Sequence, residues 1–97
     1  MNGIKMNELY ELISSCHEAE FEYAGTTYVL QPEIIDGKPF LVIWDCTPNN
    51  TKCIAKHEIS AEGKVSNTDI DSLLSINCFY GKSFLEIERD VTVNIIY

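Results

Sequence analysis

Residues 33–44 read EIIDGKPFLVIW, Glu33 to Trp44. Asp36-Gly37 stands between two apolar runs. A two-residue loop of this type suits the primed turns that match the twist of paired strands. The stretch therefore predicts an antiparallel hairpin. Its second arm, Phe40 to Trp44, is apolar at every position, which predicts a central strand covered on both faces. Trp44, the single tryptophan, reads there as a core residue.

Upstream, EFEYAGTTYVL (residues 20–30) alternates with period two. Phe21 and Tyr23 take one face, and Glu18, Glu20 and Glu22 take the other. Gly25 permits a tight turn, and Thr27 to Leu30 is β-branched and aromatic. Pro32 places this strand at an edge or marks a local irregularity. Before it, Met6, Leu9, Ile13 and Cys16 recur at helical spacing with Leu12 beside them, which predicts an amphipathic helix over about residues 5–17.

Downstream, TPNNTK is a loop and Cys53 to Ile59 a fourth strand. SAEGKVSN (residues 60–67) is a turn region. Thr68 with Asp71 three residues on reads as a variant capping box ahead of Ile70, Leu73 and Leu74. A short helix follows Gly81, and VTVNIIY closes the chain as a strand. The fold class is α+β: an N-terminal helix, a mostly antiparallel sheet of four to five strands, two short C-terminal helices and a final strand, in a single domain over residues 1–97. Helices should cover one sheet face.

Gly81-Lys82-Ser83 ends like a nucleotide-binding phosphate loop. That loop also needs a glycine five positions earlier, where this chain has Ile76, and it must follow a strand. A structural reading accounts for every letter. Gly81 sits in a turn, Ser83 and Glu86 form a capping box, and Phe84, Ile87 and Val91 provide a buried face.

Composition narrows function further. Fifteen acids against seven bases leave a net charge of −8. Residues 1–48 hold eight acids and two lysines, net −6; residues 49–97 hold seven acids and five bases, net −2. Such a chain lacks the basic footprint that phosphate backbones and anionic membranes require. The opening MNGIKMNELYELISS has no apolar signal core, because Asn7, Glu8 and Glu11 interrupt it. The expected address is the cytoplasm, with Cys16, Cys46, Cys53 and Cys78 reduced.

Two function classes follow. The first is a non-enzymatic protein-binding domain, of the inhibitor, immunity, phage accessory or adaptor type. It would act as monomer or homodimer, with no cofactor, and offer Glu18, Glu20 and Glu22 to a basic protein. Five tyrosines are available as contact residues. The second is a small metal- or thiol-dependent protein. If TPNNTK closes a regular hairpin, Cys46 faces Cys53, and His57 lies on the same face two pairs further along. Zinc takes such sulfur and nitrogen ligands, although Cys-x6-Cys-x3-His matches no compact knuckle. No glycine-framed nucleophile elbow is present.

Overall fold

A computed structural model describes residues 1–59 and 64–96, the side chains of residues 95 and 96 excepted. Asp36 and Gly37 have φ of 51° and 78°, the signature of a type I′ turn. They join β2 (Thr26–Ile35) to β3 (Lys38–Asp45) in continuous antiparallel register from Ile35↔Lys38 to Tyr28↔Asp45. The same turn recurs at Ala24-Gly25, with φ of 50° and 81°, joining β1 (Ala19–Tyr23) to β2. With β4 (Lys52–Glu58) and β5 (Thr92–Ile96) the sheet has five strands in the order β4-β3-β2-β1-β5, all pairs antiparallel. The expected α+β architecture is therefore present. β2 is the middle strand, yet β1 pairs no further along it than Leu30. Pro32 thus lies where β2 has only β3 beside it, and its missing N–H breaks no ladder.

Three helices pack on one face: α1 (Met6–Ser14), α2 (Asn67–Leu74) and α3 (Phe84–Ile87), the last followed by a 3-10 turn at Glu88–Asp90. Leu9 and Ile13 of α1, Ile70, Leu73 and Leu74 of α2, and Phe84 and Ile87 of α3 join Ala19, Phe21, Tyr28, Leu30, Leu41 and Ile43 of the sheet in one core cluster. The Tyr10 hydroxyl donates to Asp71 and ties α1 to α2. No helix among the described residues is long and apolar enough to cross a membrane.

α1 is shorter than its periodicity suggests. It stops because Cys16 turns left-handed, with φ of 62°. His17 N–H then bonds to Leu12 O at 3.0 Å and Cys16 N–H to Ile13 O at 2.9 Å, a Schellman closure usually built on glycine. A side chain in that region costs roughly 1–2 kcal/mol. Cys16 is exposed, so nothing is lost by removing its thiol. Cys16→Gly should raise the unfolding free energy by about 0.5–1 kcal/mol after the added chain entropy is counted. Urea denaturation of the two proteins checks it; an unchanged or lower midpoint contradicts the strain.

The start of α2 corrects the reading from Thr68. The cap is Ser66, whose hydroxyl accepts from Asp69 N–H at 3.1 Å, while Ser66 N–H donates to Asp69 Oδ2 at 3.2 Å. Thr68 lies inside the helix. Of the turn expected at residues 60–67, residues 60–63 lie outside the described set, as does Tyr97 at the end of the last strand.

Gly81-Lys82-Ser83 is a turn and a helix start. Tyr80 and Gly81, with φ of 53° and 84°, make a third I′ turn, closed by Phe79 N–H to Lys82 O at 2.9 Å and Lys82 N–H to Phe79 O at 3.0 Å. Ser83 and Glu86 then cap α3 reciprocally, at 3.1 and 3.3 Å. Phe84, Ile87 and Val91 are buried, as their spacing requires.

Candidate functional site

The second face of the sheet carries no helix among the described residues. Strand alternation and register resolve it into rows. One row runs Glu20, Val29, Trp44, Cys53 across β1 to β4; the next runs Gln31, Val42, Lys56; a third runs Glu33, Phe40, Glu58. Glu22 stands opposite Thr27 at the β1 end. The face thus has an apolar centre of Val29, Phe40, Val42 and Trp44, with carboxylates around it.

This overturns the expectation that Phe40 to Trp44 is covered on both faces. Leu41 and Ile43 enter the helix-side core, whereas Val42 is outside that cluster and still 0% exposed. The cause is Trp44, which is a half-buried surface residue and not a core one. Its indole N–H donates to Glu33 Oε2. Glu33 pairs with Phe40, four residues from Trp44 and about 13 Å away along the strand. To span that distance the indole lies across the Gln31–Val42 row and shields Val42. Gln31 Nε2 donates to the same Glu33 oxygen at 2.9 Å. Phe40 carries Lys56 over its ring, 5.7 Å from the centroid.

Of the three acids singled out by alternation, Glu20 and Glu22 lie on this open face. Glu18 is exposed and precedes β1, outside the pairing. Glu20 is half-buried and Glu22 exposed. Among the described residues the ion pairs are the Met1 ammonium with Glu88 at 2.6 Å and His57 with Asp69 at 3.0 Å. No lysine or arginine there is ion-paired with a carboxylate, so the rim acids face solvent without a cation of their own.

The cysteine–histidine set does not converge. Lys52 pairs with Asp45, so Cys46 falls in the loop and Cys53 pairs with Trp44; beyond that pair a bulge shifts the β3–β4 register between Ile43 and Trp44. His57 pairs with Leu41. Trp44 and Leu41 are three residues apart and point to opposite faces, so Cys53 and His57 do too. The regular hairpin assumed from the loop length fails twice: the loop begins at Cys46, one residue earlier than assumed, and the bulge adds one residue between Cys53 and His57. No group of three or more His, Cys, Asp or Glu side chains is placed to hold a metal among the described residues. Two of the thiols, Cys46 and Cys78, are also shifted toward the protonated form. Burial, with the charges of Asp45 and Glu20 behind it, pushes Cys46 up. Burial, with Cys53 nearby, pushes Cys78 up to about 11. A nucleophilic or metal-binding cysteine needs the opposite shift.

His57 instead reaches Asp69, which is 1% exposed. Asp69 stands between His57 and Ser66, accepting the Ser66 hydroxyl at 2.9 Å on its other oxygen. A nucleophilic triad needs the imidazole against the hydroxyl, with the carboxylate behind it. Here the carboxylate is central, so the arrangement caps and anchors α2. An apolar groove of about 620 Å³ is lined by Pro32, Ile34, Pro39, Ile59 and Val65, among others. Cys16 and Glu33 also line it, whereas Glu18, Glu20, Glu22, Cys46, Cys53 and His57 do not.

Sequence reasoning missed Trp44–Glu33 and His57–Asp69. Both are contacts between residues far apart in number, with no local spacing to reveal them. No family model, curated protein or solved structure matches this chain.

Proposed function

We propose that the protein is a non-enzymatic protein-binding domain that takes a basic partner on the open sheet face. One observation carries the reading: a sheet face with no helix over it among the described residues has an apolar centre bordered by carboxylates that no lysine or arginine of those residues pairs with. Aromatic residues at the centre of a polar rim are the usual build of a contact surface. The net charge of −8 gives a basic partner long-range attraction. Contact then exchanges solvated carboxylates for ion pairs and removes Trp44 and Phe40 from water.

The test is a charge reversal. Glu20→Lys with Glu22→Lys should leave the circular-dichroism spectrum and the melting temperature nearly unchanged, because neither side chain is buried. Basic proteins captured by the wild type from its own cell extract at low salt should be released at high salt, and the reversed variant should fail to capture them. With the partner purified, reversal should slow association by about tenfold or more, as expected of an inverted steering patch. An on-rate indifferent to both salt and reversal would remove this face from consideration.

A further inference from the structure

We propose, resting on the reading above, that Trp44 and Glu33 form the seat for one arginine side chain of the docked partner. The indole reaches across the Gln31–Val42 row to donate to Glu33 Oε2, and Trp44 is only half-buried, so part of its ring is open to solvent. Phe40, in the next row but one, already takes a cation of this chain, Lys56, at 5.7 Å. No lysine or arginine of the described residues lies over Trp44 in the same way. Glu33 is equally prepared. Its Oε2 takes two N–H groups, from Trp44 and from Gln31, and its Oε1 accepts no hydrogen bond among the described residues. The carboxylate is thus fixed in place with one oxygen free, next to an unoccupied aromatic face.

A planar guanidinium satisfies both features at once. It stacks on an aromatic face and directs N–H groups sideways to a carboxylate. A lysine ammonium is a compact, strongly hydrated charge that meets one of them well and the other poorly. Glu20, in the same row as Trp44, adds negative charge on the β1 side. The seat thus selects arginine over lysine, whereas the general acidity of the face attracts both.

Trp44 is the only tryptophan, so its emission reports on this place alone. Hexa-arginine amide and hexa-lysine amide would be titrated into the protein at matched ionic strength. Hexa-arginine should change the Trp44 emission saturably and bind about tenfold more tightly than hexa-lysine, the scale of one stacked and charge-assisted contact. Glu33→Gln keeps an acceptor for the indole N–H and removes the charge. It should cut arginine affinity about tenfold and bring the two peptides level, with an unchanged circular-dichroism spectrum. Equal affinities in the wild type, both lost in the Glu20/Glu22 reversal, would overturn the seat and leave the docking face standing. Arginine binding unaltered by Glu33→Gln, or binding without any change in Trp44 emission, would overturn it as well.

Discussion

Phe79→Ala should remove about 4 kcal/mol of stability, within the range for deleting a buried phenylalanine. Phe79 belongs to no helix and no long strand, and the sequence around it reads as a turn. Yet it is 1% exposed and lies at the centre of the aromatic core. Its ring centroid is 5.0 Å from Tyr28, 6.0 Å from Tyr23, 6.1 Å from Phe21 and 6.3 Å from Phe84, every pair edge-to-face. Such geometry adds about 0.5–1.5 kcal/mol per pair beyond the area buried. The Tyr80-Gly81 turn directs the ring inward, so little backbone can move to fill the space. Urea unfolding should show a much lower midpoint at constant slope. Phe79→Leu, which keeps most of the volume, should lose less than half as much. A loss below about 2 kcal/mol for the alanine variant would mean that the five rings do not form one packed unit.

Asp69→Ala should be the most damaging single polar substitution, costing about 3 kcal/mol. The cap alone accounts for about 1 kcal/mol. The remainder comes from the part-buried hydrogen bonds that Ser66 N–H, Ser66 Oγ and His57 Nε2 make to the Asp69 carboxylate; a hydrogen bond to a charged group is worth about 1.5–3 kcal/mol. Asp69→Asn retains one acceptor oxygen and should lose less. The coupling to His57 is separable by a cycle with His57→Ala. A coupling energy near zero would show that the 3.0 Å contact between α2 and β4 contributes nothing to holding them together.

These two residues show where the sequence was readable and where it was not. Asp36-Gly37 named its own turn, because both central residues need positive φ and few pairs tolerate that. Tyr80-Gly81 uses the same geometry with a residue less suited to it, so only the glycine was visible. Ser66-x-x-Asp69 and Thr68-x-x-Asp71 are equally good caps as text. The fold selects the first because it turns Asp69 inward to meet His57. The bulge in β4 falls at Ile54, an ordinary strand residue with no local mark, and one unmarked residue was enough to separate Cys53 from His57. For the candidate site, alternation correctly assigned Glu20 and Glu22 to one face. What it could not show is that Trp44 lies on that face with them, since an unbroken apolar run has no period.

The sheet is joined in two ways, and the difference bears on how the chain folds. β1 to β4 are sequence neighbours linked by short connections, whereas Glu22 of β1 pairs with Thr92 of β5, seventy positions later. Closing a loop of that length costs entropy that the local hairpins do not face. Until β5 arrives, the outer edge of β1 is a row of unsatisfied amides and carbonyls beside Phe21, a template on which a second nascent chain could pair. Glu20 and Glu22 occupy that edge. Two copies of it meeting in the unfinished state would bring four carboxylates together, and their repulsion would oppose that pairing.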